Sequence, residues 1–260
     1  MLVYPQLSTG ALSQFPVQKR RRLRTVVNTA ADGSSVKLAD PNAEVAEWQL
    51  QYVGLSDSEL AALQQFFAGA EGTLNGFTFL DPTANLLAWS DDLSNAVWNK
   101  APLLSAAGGV TDPAGGTNAW HLINSGAGPQ SISQTLNVPG GYVFSYSASV
   151  RSSGGATVTV LVGTGRATGA VATGWSRITF TASGDPTATS MLFGLELPAG
   201  AAIDVYGMQA EPQACPSLYK PSTTGGVYEN ARLRDDAFSF TTTGVNCHSA
   251  TVNIIHASHL

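Results

Sequence analysis

Large apolar residues recur along this chain with two different periods. Between Ser56 and Phe67, the residues Leu60, Leu63, Phe66 and Phe67 fall on one helical face. Ser56 stands at the N-cap position with Glu59 three residues on, the spacing of a capping box, so a helix is predicted to start there. Upstream, Trp48-Gln49-Leu50-Gln51-Tyr52-Val53 alternates apolar with polar residues, as a half-buried strand does. Val26-Val27-Asn28 and Ser35-Val36-Lys37-Leu38 read as strand pieces around the turn Ala31-Asp32-Gly33. After the helix comes an aromatic strand, Phe77-Thr78-Phe79-Leu80, which ends on Asp81-Pro82.

From about Asn85 the texture changes to short β runs set among Gly, Pro, Ser and Thr. Examples are Ser131–Leu136, Tyr142–Tyr146, Thr157–Val162, Arg177–Phe180 and Ala202–Tyr206. Such spacing predicts a β-sandwich or jelly roll. Beyond Thr223 only two strands are expected, Ala237–Phe240 and Ala250–Ile255, too few to stand alone. The fold expected is mainly β: a small α+β base domain interrupted by a jelly-roll β-sandwich. The base takes residues 1–84 and 223–260, and the inserted sandwich takes 85–222. Insertion at a surface loop is tolerated because the two ends of a domain can lie close together.

Composition supports this picture and narrows the chemistry. The 260 residues include only 12% charged residues, with 27 Gly and 13 Pro. Turn-rich β structure suits that profile better than disorder. A net charge of -5 excludes a globally basic nucleic-acid binder. No apolar run reaches membrane-span length, and the charges Lys19–Arg24 follow the first apolar stretch instead of preceding it, unlike a secretion signal. Synthesis in a cytoplasm without export is therefore expected. Cys215 and Cys247 do not form a disulfide scaffold.

Candidate chemistry is sparse, and no catalytic residue is assigned. Gly163-Thr164-Gly165-Arg166-Ala167-Thr168-Gly169 follows an apolar strand, but no helical stripe comes after it to meet a pyrophosphate, so it reads as a β-turn. The run Lys19-Arg20-Arg21-Arg22-Leu23-Arg24 on a strand would point alternate side chains to opposite faces and form no single phosphate patch. His121, His248, His256 and His259 lack metal-ligand spacing, and no nucleophile elbow is present. Asp91, Asp92, Asp112, Asp185, Asp204 and Glu211 show no spacing that selects a catalytic pair. No cofactor is expected, with a structural calcium ion left open. Aromatic residues remain as sugar-stacking candidates: Trp89, Trp98, Trp120, Trp175, Tyr142, Tyr146 and Tyr206. Trp120, Tyr142 and Tyr146 are the glycan-binding residues expected.

Two resemblances carry the functional expectation. Trp48-Gln49-Leu50, the Leu-Ser-x-x-Glu helix start, Phe66-Phe67, Gly72 and Phe77–Pro82 together resemble the minor tail proteins of long-tailed phages, with Ser249–His256 as a closing strand. The middle resembles carbohydrate-binding-like β-sandwich modules of phage tail proteins. It opens with Asn85–Leu93 and Asn95–Trp98, and closes with Tyr206–Glu211 and Tyr219–Ser222. Ala210 stands where a Leu is usual, and Cys215 lies outside the pattern. The first resemblance implies a structural virion protein of the tail tip, made in the bacterial host cytoplasm and not an enzyme. Its partners would be further copies of itself in a ring (trimer or hexamer) and the neighbouring tail tube and hub proteins. The second implies an outward sandwich that contacts host-surface glycans. Specific nucleic-acid binding and membrane insertion are not expected. A freestanding carbohydrate-binding protein and a tail-associated glycan hydrolase are the alternatives.

Overall fold

A computed structural model of the chain describes residues 2–257. In chain order the elements are β1 (Val17–Thr29), β2 (Ser35–Leu55), α1 (Asp57–Ala70), β3 (Phe77–Leu80), β4 (Asn99–Lys100), β5 (Leu104–Val110), β6 (Ala119–Asn124), β7 (Gln130–Leu136), β8 (Phe144–Arg151), β9 (Ala156–Val162), β10 (Gly165–Val171), β11 (Ser176–Ala182), β12 (Met191–Leu197), β13 (Ala202–Glu211), β14 (Val227–Leu233), β15 (Phe240–Gly244) and β16 (Cys247–Ala257). The chain is mainly β. It divides into two compact units: residues 1–7, 13–79 and 228–260, and residues 8–12 and 80–227.

The first unit holds one sheet in the order β1-β2-β16-β14-β3, with β15 paired to β16. The alternation read from Trp48 onward sets its inner face: Trp48, Leu50 and Tyr52 are buried, while Gln49 and Gln51 are half-exposed. Helix α1 starts as its sequence dictates. The Glu59 amide donates to Ser56 Oγ (3.3 Å) and the Ser56 amide to Glu59 Oε2 (3.0 Å), closing the capping box. Leu60, Leu63 and Phe66 are buried, and Phe67 is half-buried against Phe238. Phe66 meets Tyr4 and Phe77 edge-on at 5.0 and 4.7 Å, contacts that add to the burial of each ring. At the helix end Glu71 is left-handed, and Gly72 passes so close to Asp236 that a β-carbon would stand 2.6 Å from its Oδ1.

Strand β1 runs along the sheet edge, and among the described residues its distal half has a single neighbour. Val17–Arg22 pair with Val45–Leu50, which β16 also covers, whereas Arg24–Thr29 pair with Ser35–Asp40. The register shifts between Arg22 and Arg24, leaving Leu23 74% exposed. Asp32 shapes the tip by accepting from the Ser34 amide (2.9 Å) and hydroxyl (2.6 Å). The basic run does not form a free cationic patch: Arg21, Arg22 and Arg24 pair with Glu44, Glu47 and Asp40 of β2. Lys19 lies 5.5 Å from the Trp48 ring centroid and 5.8 Å from that of Tyr228.

The C-terminal strands differ from expectation in two places. Residues 237–239 are not strand, and β15 starts only at Phe240. Strand β14 was not anticipated, because left-handed Asn230 (φ 58°) interrupts the alternation that would have revealed it.

The second unit is a sandwich of two antiparallel five-stranded sheets, β10-β9-β12-β7-β4 and β11-β8-β13-β6-β5. Phe144 and Phe193 meet between them, ring centroids 5.3 Å apart. Of the glycine-rich segment only Gly163-Thr164 is turn, joining β9 to β10 with Gly163 at φ 58°, while Gly165–Gly169 lie in β10. The ends of residues 80–227 lie together, since the Asp81 amide donates to the Gly226 carbonyl (2.8 Å). Gly10 packs on Val143, which is why residues 8–12 belong with this unit.

Candidate functional site

In β8, Phe144, Tyr146, Ala148 and Val150 point into the sandwich and are fully buried, so Ser145, Ser147, Ser149 and Arg151 take the opposite face. Pairing sets Asp204 of β13 beside both Arg151 and His121 of β6, and Tyr206 beside Ser149. These outward residues form a connected row. Arg151 Nε donates to Asp204 Oδ2 (2.8 Å), and Asp204 Oδ1 lies 2.6 Å from His121 Nδ1. The Arg151 guanidinium also lies over Trp175, with Cζ 4.7 Å from the ring centroid. A pocket of about 300 Å³ opens there, lined in part by His121, Arg151, Ser153, Thr173 and Asp204.

The other end of this face is closed. Glu211, buried, accepts from the Ser217 amide (2.8 Å) and hydroxyl (2.6 Å) and from Gln209 Nε2 (2.7 Å), with Lys220 Nζ at 3.3 Å. These bonds hold the segment after β13. Ser145 and Ser147 are buried as a result of cover on this end of the face. Tyr219 follows in that segment and meets Tyr206 edge-on at 5.2 Å. Its hydroxyl donates to Asp91, and burial together with that carboxylate pushes its pKa up.

Trp89 forms a second feature. It is 40% exposed and left-handed (φ 47°), a conformation that bulky residues rarely adopt. Its carbonyl accepts from the Trp98 indole (2.9 Å) and the Asp92 amide (3.1 Å), which fixes the turn. A shallow pocket of about 360 Å³ lies against it, bordered by Asp91, Asp92 and Pro221.

The three glycan residues expected from the sequence do not form one platform. Tyr146 has no exposed surface; it sits in the sandwich interior with its hydroxyl unpartnered among the described residues and its pKa pushed up by burial. It therefore offers no ring face to a sugar. Trp120 pairs with Val205 and faces inward on the side of Leu122, half-buried. Its indole donates to the Asp91 carbonyl (2.9 Å), and its ring lies over Gly108, where a β-carbon would stand 3.2 Å from it. Tyr142 is half-buried before β8, at the opposite end of that strand from Arg151. Sequence reading passed over the Arg151–Asp204–His121 row. Alternation in Phe144–Arg151 and Ile203–Tyr206 is a signal that Arg151 and Asp204 face outward, but nothing in the sequence places them beside His121 on a third strand.

Other candidates resolve into structure. Asp112 accepts from the amides of Ala114, Gly116 and Asn118 (2.8, 3.0 and 3.2 Å), and among the described residues no three His, Cys, Asp or Glu side chains group as metal ligands. Thr242 Oγ1 lies 3.0 Å from His248 Nδ1, whose Nε2 lies 2.7 Å from Asp57 Oδ1. Asp57 opens α1, so this line ties the β15–β16 hairpin to the helix N-terminus. His256 stacks edge-on with Tyr228 at 5.1 Å; His259 lies outside the described residues. Cys215 and Cys247 are free thiols.

No family model and no curated protein matches this sequence. Solved structures show partial likeness. The xylan-binding CBM22-1 domain of Paenibacillus barcinonensis Xyn10C is 18% identical, with 51% of this chain and 96% of that one covered and a TM-score of 0.42. The tandem CBM22-1–CBM22-2 domains of the same protein give 16% identity, coverage of 66% and 61%, and a TM-score of 0.43. Tailspike protein 4 of bacteriophage CBA120 gives 12% identity and a TM-score of 0.39 over 51% of this chain; the match spans only 22% of the tailspike. At this level the likenesses assign no activity to the chain.

Proposed function

We propose that this chain is a non-enzymatic assembly component of a long-tailed phage tail tip, made in the bacterial host cytoplasm, whose first unit closes into a ring with further copies of itself between tail tube and hub. The observation that carries the reading is the β1–β2 ribbon. Among the described residues no third strand pairs with it from Arg24 to Asp40, and it exposes Leu23, Val26, Val27, Val36 and Leu38, each by more than a third. An isolated two-stranded ribbon is marginal in water, and exposed apolar side chains that share one face, as Val26, Val36 and Leu38 do by the register Val26↔Leu38 and Asn28↔Val36, mark an interaction surface. A neighbouring copy supplies the missing cover, and head-to-tail contacts that close give a ring. The resemblance of Trp48–Pro82 to phage minor tail proteins supports the same role. Replacing residues 24–40 by a two-residue turn tests it: the shortened protein is expected to fold and to elute as a monomer.

A second reading concerns the sandwich alone. Trp89, exposed and held in a strained backbone beside a shallow pocket, favours binding of a saccharide ring by stacking. Many copies in one assembly would raise weak single-site affinity. Loss of glycan binding in Trp89→Ala, with the unfolding temperature retained, tests this second role.

A further inference from the structure

The outer-face pocket at Arg151 has a chemistry of its own. Asp204 spends one carboxylate oxygen on Arg151 and the other on His121. Both of its oxygens are thus engaged, and with a side-chain exposure of 18% for Asp204 against 31% for Arg151 the guanidinium is the more exposed pole of the pair. Arg151 is 31% exposed as a side chain, and it is held at two points: through Nε by Asp204 and across its plane by Trp175. Its terminal amino groups make no hydrogen bond to a described residue. A guanidinium fixed in this way presents two parallel N–H donors with little rotamer entropy left to lose, the arrangement that receives a planar carboxylate. Ser153 and Thr173 border the same pocket and suit a polyhydroxylated ligand.

We infer that this pocket binds the carboxylate of an acidic saccharide, a hexuronic acid unit, through the terminal amino groups of Arg151, with Trp175 and Asp204 as positioning residues. The inference rests on the saccharide reading of the sandwich only in taking a sugar as the carrier of the carboxylate. The site differs from the Trp89 pocket in every lining residue.

Calorimetric titration of the full chain with three probes tests it: oligomers of galacturonate, mannuronate and glucuronate, each beside its methyl ester, which keeps the ring and removes the charge. At least one acid oligomer is expected to bind about tenfold or more tighter than its ester. Arg151→Gln is expected to abolish that difference, and Arg151→Lys, which keeps the charge but loses the fork, to recover it only in part. Equal binding of acid and ester would overturn the inference while leaving the saccharide reading standing. Binding of none of the acid oligomers would also overturn it, whether or not the Arg151 variants fold. Equal binding of poly-glutamate would remove the sugar from the ligand class, and tighter binding of a sulfated neutral oligosaccharide would replace the carboxylate.

Discussion

Val26 and Leu38 stand directly opposite each other on the β1–β2 ribbon, 37% and 51% exposed, and among the described residues no other strand pairs with either of their segments. Cross-strand apolar pairs normally stabilise a sheet by packing against a covered face. Here the face is open. Replacing both by Lys is therefore expected to leave the monomer's stability within about 0.5 kcal/mol, as for ordinary surface changes. Self-association is expected to fall by tenfold or more, read by sedimentation velocity across a dilution series.

Tyr146 lies in the sandwich core with a hydroxyl that has no hydrogen-bond partner among the described residues. Removing an unpartnered buried hydroxyl relieves a desolvation cost, so Tyr146→Phe is expected to be neutral or stabilising. Tyr146→Ala is expected to cost about 3–5 kcal/mol through the cavity it leaves. Urea midpoints of both variants check this.

The helix cap makes a separate prediction. Ser56→Ala removes the acceptor for the Glu59 amide and the donor to Glu59 Oε2. A loss of about 1 kcal/mol is expected in the first unit, with less in Ser56→Gly.

His256 gives that unit a pH dependence. Burial holds its imidazole below the ordinary 6.5, against the opposing pull of the Glu229 carbonyl and Glu44. The folded state therefore favours the neutral ring. As pH falls through 6.5 the unfolded chain takes up the proton first, so stability declines from there until the folded imidazole is protonated too. Above that window the contribution is complete. Chemical denaturation between about pH 8 and pH 5 should show this decline, and His256→Gln should flatten it.

Much of the first unit was legible because its signals are local. The Ser56–Glu59 box, the alternation from Trp48 to Tyr52 and the Asp32-Gly33 turn each act within a few residues, and each appears where the sequence placed it. Strand β14 was hidden because Asn230 breaks its period, and its pairing to β16 joins residues far apart in sequence. The outer-face row was hidden for the same reason: His121, Arg151 and Asp204 come from three strands whose register no local pattern states. Trp120 misled because the space for its ring comes from Gly108 on another strand. Tyr146 misled because strand parity, not residue type, decides which aromatic faces water.

The mass of the native protein in solution, measured by light scattering across a wide concentration range, tests the central claim most directly. Closed ring assembly through the exposed ribbon predicts a single species of three or six times the 27.0 kDa chain at high concentration, dissociating on dilution without unfolding. A monomer at every concentration, with the Arg24–Asp40 ribbon intact, would contradict it.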